Sequence, residues 1–431
     1  MISKSVAVNN NGHLTIGGAD CVDLANNYGT PLYVFDENLI RETIAEFRES
    51  IEKHYAGLGR VLYASKAFSC KEMYRICASE GIGADVVSGG EIYTAISAGF
   101  DPSLLVFHGN NKTYDELLYA VKVGVGRIVV DNFSELKNLE TISENLGKEV
   151  NIILRIKPGI DVHTHDYIKT GHIDCKFGFA LENGEAMSAA LECLKYNGVN
   201  LKGFHCHIGS QIFTTEPFCD AARIMIRFAN DFRIKSGVTV GEIDLGGGFG
   251  VKYVESDDQQ PFDSFMAAAS DALKAECEAL GFPIPFVYIE PGRSLVAPAG
   301  ITLYKVGAVK DIKNVRTYIS VDGGMGDNPR YALYNAEYTI EIANKASLKK
   351  DFVATVAGKC CESGDLLQEH VKIQTPEVGD VLAVLTTGAY CYSMASNYNR
   401  IPRPAAVMVK DGESRVIINR ETYEDIIKND V

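Results

Sequence analysis

Lys66 stands at the end of an apolar run, Val-Leu-Tyr-Ala-Ser, where a buried ammonium is costly unless it is paired or loses its charge. A lysine with a depressed pKa attacks carbonyl carbon, so the position suits imine chemistry; a rim lysine snorkelling to solvent is the plainer reading. Gly246, Gly247 and Gly248 follow an apolar stretch, and three glycines let backbone N–H groups approach an anion. A simple tight turn is the alternative. The run is not a P-loop, because no Gly-Lys-Ser/Thr follows, and Val251 stands where a dinucleotide fingerprint needs its last glycine. His205 and His207, two apart on a strand, share a face, a spacing compatible with metal ligation. His163, His165 and His172 add candidates. No helix carries the matching carboxylate–His motif, so a stacked or core histidine is preferred and no metal is expected. Cys360-Cys361, taken alone, reads as buried small residues.

The elements that must position these groups alternate. Short apolar runs at 61–65, 84–87, 104–108, 127–131, 151–156, 202–207, 242–245 and 286–290 read as strands buried on both faces. Helical spacing fills 69–80, 113–123, 134–146, 185–196, 217–235 and 262–280, and 37–54 precedes the first strand. Eight such alternations over about 250 residues match a (β/α)8, TIM-like barrel better than an open doubly wound sheet. The strand ends then carry Lys66, Asp85 and Ser88, His108, Asp131, Arg155, His205 and His207, the glycine turn, and Glu290 through Arg293. So many polar groups at one rim point to an enzyme. From about residue 295 the pattern changes to strands broken by Gly, Pro and Asp. The expected division is a barrel over 36–294, with 1–35 and 295–431 forming a β-sandwich or β-barrel domain completed by N-terminal strands.

Composition narrows the function classes. Hydrophobic content of 46% with 23% charged residues excludes a mainly disordered chain. A net charge of −14 with no basic run argues against nucleic acid as partner. No apolar stretch approaches the ~20 residues of a membrane span, and the first residues lack a signal-peptide core. Eleven cysteines without a Cys-x-x-Cys pair suggest reduced thiols and a cytoplasmic location.

In order along the chain, Tyr63-Ala-Ser-Lys66, Asp85-Val-Val-Ser-Gly-Gly-Glu91, His108-Gly-Asn-Asn-Lys112, His205-Cys-His-Ile-Gly-Ser210, Leu245-Gly-Gly-Gly-Phe-Gly250 and Glu290-Pro-Gly-Arg293 are followed by Asp322-Gly-Gly-Met325, Cys361-Glu-Ser-Gly-Asp365 and Gly388-Ala-Tyr390. This set resembles the pyridoxal-phosphate decarboxylases built from a barrel and a β domain, in particular the diaminopimelate decarboxylases. The first six stretches are common to that superfamily; the last two are more selective for the branch. The resemblance covers about 30–420, with one departure, Tyr331, where many relatives carry Pro.

The resemblance implies pyridoxal 5'-phosphate held by Lys66 as an internal aldimine, with His207 on the ring and Glu290 at the ring nitrogen. Ser210, Gly246, Gly247 and Gly248 would take the phosphate, with Asp85, Gly292, Arg293 and Tyr390 completing the cofactor-binding set. Arg293, Arg330 and Tyr334 would hold the substrate's distal carboxylate and Glu362 its ammonium, with Tyr390 close by. Cys361 would return a proton to the carbon that loses CO2. The implied reaction is decarboxylation of meso-2,6-diaminopimelate at its D-centre to L-lysine, closing lysine biosynthesis. The alternative is a D-lysine or D-ornithine decarboxylase of the same fold. The family pattern also implies a homodimer in which Cys361, Glu362 and the Tyr390 region reach the neighbouring subunit's site.

Overall fold

Eight parallel strands close on themselves in the middle of the chain: β1 (Gly59–Ala64), β2 (Gly83–Val86), β3 (Leu105–Phe107), β4 (Arg127–Val130), β5 (Val150–Lys157), β6 (Val199–His205), β7 (Glu242–Asp244) and β8 (Phe286–Ile289). Each pairs with the next, β8 pairs with β1, and β4 with β5, which completes the barrel. The computed structural model describes residues 2–160 and 175–431. It divides the chain into a barrel unit, Ile44–Gly250 with Gln259–Gly292, and a β-rich unit, Met1–Thr43, Val251–Asp258 and Arg293–Val431. Residues 36–43, Val251–Asp258 and residues 293–294, which the sequence boundaries put in the barrel, group with the β-rich unit.

The strand period of two explains how the barrel carries polar groups on an apolar foundation. Leu62, Val106, Val129, Ile153 and Tyr288 form one buried cluster, one residue from each of five strands. Residues two further along share the same face. They are Ala64, His108, Asp131, Arg155 and Glu290. An apolar layer therefore supports a polar one at the C-terminal strand ends. A third layer lies on the other side, where Arg127 meets Glu242 through two bonds of 2.6 and 2.8 Å.

Three of the helices outside begin at side-chain caps. Thr113 and Glu116 form a capping box ahead of Tyr114–Val123, and Asn132 accepts from the Glu135 N–H ahead of Phe133–Leu146. Helix Gly89–Ser97, absent from the sequence reading, starts at Ser88, whose side chain accepts from the Glu91 N–H. Its two leading glycines hide it from propensity; the cap supplies what they lack.

In the β-rich unit, Leu32–Asp36 lies between Gly300–Ile312, antiparallel, and Ala405–Lys410, parallel. The N-terminal segment thus completes a sheet of C-terminal strands, as expected. Leu32, Val34, Ile301, Leu303, Ala383 and Val407 are among its buried core residues. Strand Leu366–Ile373 was not anticipated. Gln368, Glu369 and His370 interrupt its apolar pattern, and its pairing with Phe352–Ala357 shifts register twice.

Candidate active site

The barrel unit gathers most of the polar residues singled out from sequence. Lys66 sits in the 3-10 turn Ser65–Ala67 directly after β1, with Nζ 3.4 Å from Oδ2 of the buried Asp85 at the end of β2. Glu91 ties these two strand ends, accepting from Ser65 Oγ at 2.9 Å and from the Val87 N–H at 2.7 Å. The loop after β3 is fixed by Lys112, whose Nζ donates to Gly109 O, Val129 O and Glu135 Oε1 at 2.8, 2.6 and 2.5 Å. That anchoring sets His108. Its Nε2 lies 2.7 Å from Oε1 of Glu290, close but out of line for a hydrogen bond.

Glu290 follows β8 and is buried. Burial pushes its carboxyl upward, but the His108 and His205 rings overcome this and hold it well below the usual carboxylate range. His207 goes the other way. Burial, then the charges of Lys66 and Arg155, hold its ring well below the ordinary histidine value. A neutral ring suits its contact with the Gly247 N–H, which donates to Nδ1 at 3.3 Å. Ser210 lies three residues on, half-buried, with Gly209 between them.

The glycine turn has a steric cause. Gly246 and Gly248 take φ of +69° and +113°, and a Cβ on Gly247 would stand 2.2 Å from the Glu290 carbonyl oxygen. No other residue fits that backbone. Gly292 is equally constrained, since a Cβ there would meet Ala64 at 2.8 Å.

In the β-rich unit the predicted substrate residues partly converge. Arg330 opens the helix Arg330–Tyr334, and Tyr334, half-buried, closes it one turn later. Arg330 Nη1 donates to Tyr338 Oη at 2.8 Å, and the guanidinium lies 4.9 Å from the Tyr253 ring centre. Arg293 Nη1 donates to Tyr253 Oη at 2.7 Å, and Tyr390 lies 4.8 Å from the same guanidinium. Tyr390, grouped by resemblance with residues reaching a neighbouring subunit, therefore packs on Arg293 of its own chain.

Cys361 and Glu362 are exposed on a separate loop. Asp365 pins that loop, accepting from the Met325 and Cys360 N–H groups at 2.6 and 2.7 Å, and Asn399 Oδ1 accepts from the Cys361 N–H at 2.6 Å. Among the described residues, no side-chain hydrogen bond or ion pair joins Cys361 or Glu362 to Arg293 or Arg330.

Sequence reasoning paired His205 with His207 as metal candidates. The structure instead sets His205 beside His108, ring centres 4.8 Å apart, with Asp244 and Glu290. His163, His165 and His172 lie outside the described residues. Asp244, Tyr253 and Tyr338 were not singled out. Asp244 had a signal, an acid on the inward parity of a strand two residues before Gly246; the tyrosines had none, because only folding brings 253 and 338 together.

The barrel's donor set comprises one amine, a backbone N–H turn for an anion, a neutral imidazole and a buried ionised carboxylate. These match an aromatic aldehyde bearing a phosphate and a basic ring nitrogen, which is the chemistry of pyridoxal phosphate. Residues 38–297 match the family model of the pyridoxal-dependent decarboxylase, pyridoxal binding domain. The chain is 48% identical over 424 residues to the diaminopimelate decarboxylase of Bacillus subtilis, covering 98% of this chain and 96% of that one. A crystal structure of diaminopimelate decarboxylase from M. jannaschii superposes with a TM-score of 0.91 at 35% identity, covering 100% and 98% of the two chains. The same enzyme in complex with L-lysine gives 0.91 at 34%, with the same coverage. The chain therefore belongs to the pyridoxal-dependent decarboxylases, in the diaminopimelate decarboxylase family.

Proposed function

We propose that this chain is a pyridoxal-phosphate-dependent carboxy-lyase that removes CO2 from the D-centre of meso-2,6-diaminopimelate and releases L-lysine, the last step of lysine biosynthesis. The observation that carries the substrate assignment is Arg330. It is buried, its Nε has no hydrogen-bond partner, and no carboxylate pairs with it among the described residues. A guanidinium kept out of water without an anion is costly, and a ligand carboxylate removes that cost with two parallel bonds. D-Lysine and D-ornithine lack a distal carboxylate, so they leave Arg330 unsatisfied.

Bound pyridoxal phosphate supplies an electron sink for the pair left behind when CO2 departs. Lys66 supplies the amine that anchors it, with Asp85 alongside. His207 would lie against its ring, Glu290 would meet the ring nitrogen, and Ser210 with Gly246, Gly247 and Gly248 would take the phosphate. Gly292, Arg293 and Tyr390 complete this set. Arg293, Arg330 and Tyr334 fix the distal carboxylate, Glu362 fixes the distal ammonium, and Tyr390 lies beside Arg293. Holding that remote end orients the bond that breaks. Cys361 then delivers a proton from Sγ to the carbon that lost CO2.

The chain acts as a homodimer in which the loop bearing Cys361 and Glu362 serves the neighbouring subunit. Its exposure, away from hydrogen-bond reach of its own Arg330, supports that reading. A cytoplasmic location is part of the proposal. All eleven cysteines are free, and no helix among the described residues is long and apolar enough to cross a membrane.

Turnover of meso-diaminopimelate against D-lysine tests the assignment. Arg330→Met should lower kcat/KM for diaminopimelate about a hundredfold, the ~3 kcal/mol of a charge-assisted bidentate contact, while D-lysine turnover changes little. Faster decarboxylation of D-lysine by the unmodified protein would overturn the substrate choice.

A further inference from the structure

His108 and His205 have no task in the scheme above, yet they close on Glu290 from two strands. His108 Nε2 lies 2.7 Å from Oε1 and His205 Nε2 lies 3.4 Å from Oε2. All three residues are buried, with exposures of 4%, 1% and 4% for His108, His205 and Glu290. The two rings pack edge to face. Asp244, fully buried on β7, joins them, and its Oδ1 accepts from the Gly246 N–H at 2.8 Å. The other charged or titratable groups of the cluster are Asp85, 3.9 Å from His108, together with Arg155, Lys66, His207 and the buried thiol of Cys206.

Two carboxyl groups so close and so deep cannot both stay ionised. Asp244 is raised well above the usual range, first by burial and then by the charge of Glu290, so it keeps a proton. Glu290 keeps the charge. His205, lowered to about 3 chiefly by burial, is neutral and can offer only a ring N–H. The same four residues present ligand atoms within 4.8 Å of one another, which invites a metal reading. The 2.7 Å contact speaks against it, because donors on a tetrahedral ion with ~2 Å bonds stand about 3.3 Å apart. That separation is a close polar contact between ring nitrogen and carboxylate oxygen, with no room for an ion between them.

We propose that His108 and His205 are positioning residues that hold Glu290 as an aimed carboxylate. Together they set how strongly the cofactor ring withdraws electrons. The inference rests on the reading that Glu290 meets the ring nitrogen, and it assigns the state of Glu290 to two side chains that do not touch substrate.

The test uses cofactor-loaded protein and reads the visible band across pH, cofactor affinity and the split between kcat and KM. His108→Leu should shift the pH midpoint of the band change by about one unit, equivalent to tenfold in proton affinity, and lower kcat about tenfold with substrate KM nearly unchanged. His108→Asn, which retains an N–H donor, should restore most of both. An unmoved midpoint in His108→Leu, where Glu290→Gln does move it, would overturn the inference alone. An unmoved band and kcat in Glu290→Gln would overturn the reading of Glu290 on which it rests. Infrared spectra of the apoprotein, which need no histidine variant to fold, give a second measurement. At neutral pH, Glu290→Gln should remove an ionised carboxylate band; loss of a protonated carboxyl band instead would also overturn the proposal.

Discussion

At Arg330 a guanidinium that is 7% exposed donates to one phenol and meets no carboxylate among the described residues, whereas the acids of the barrel are shared among lysine, histidine and backbone donors. The contrast is between a buried guanidinium without a carboxylate partner and acids that share theirs. Lys66, Glu290 and Arg293 were legible because each ends an apolar run or sits in a compact motif, whereas Arg330 was reached only through the family resemblance. The tyrosines around the arginines were not, because Tyr253 and Tyr338 become neighbours, ring centres 5.5 Å apart, only in the folded chain. The linkage of His205 to His108 was hidden for the same reason. At this scale Cys361→Ala should keep the cofactor's visible band and lose most turnover, about a hundredfold for removal of a positioned proton donor. Steady-state kinetics beside an absorption spectrum checks both, and unchanged turnover would remove Cys361 from the mechanism.

Elements explain why so much of the barrel could be read in advance. Its strands are apolar on both faces, so all eight runs stand out, and the period of two carries each apolar position to a polar one at the rim. Helix Gly89–Ser97 and strand Leu366–Ile373 escaped because a side-chain cap and a broken register, respectively, replace hydrophobic periodicity. The glycine turn belongs to this scale, since in the proposed site its backbone rather than any side chain would do the binding. Gly247→Ala forces a Cβ to within 2.2 Å of the Glu290 carbonyl oxygen. Cofactor affinity should fall at least tenfold and the protein should lose on the order of 2 kcal/mol, as overpacking does. Fluorescence titration with pyridoxal phosphate and urea unfolding measure the two effects.

For the molecule as a whole, stability and assembly give two further expectations. Asp327 is buried, held by Tyr304 and by the Gly324 N–H at 2.9 Å, and burial pushes its carboxyl up to about 7. A group raised in the folded state stabilises it fully below the unfolded value near 4, and that contribution is lost as pH rises to about 7. The loss is at most about 4 kcal/mol, from roughly three pKa units. Asp327→Asn should flatten the decline in unfolding free energy between pH 4 and 7; an unchanged slope would exclude Asp327 as its source. If the loop of Cys361 serves the neighbouring subunit, mixing inactive Lys66→Ala and Cys361→Ala proteins should restore roughly a quarter of the intact sites, one per mixed dimer. No recovery after subunit exchange would place Cys361 in its own chain's site.

The central claim is the reaction itself. The most direct measurement is release of CO2 and L-lysine from meso-diaminopimelate by the purified protein, with and without added pyridoxal phosphate. Equal amounts of the two products, dependent on the cofactor and abolished in Lys66→Ala, are expected; no CO2 release from the cofactor-loaded protein would contradict the account.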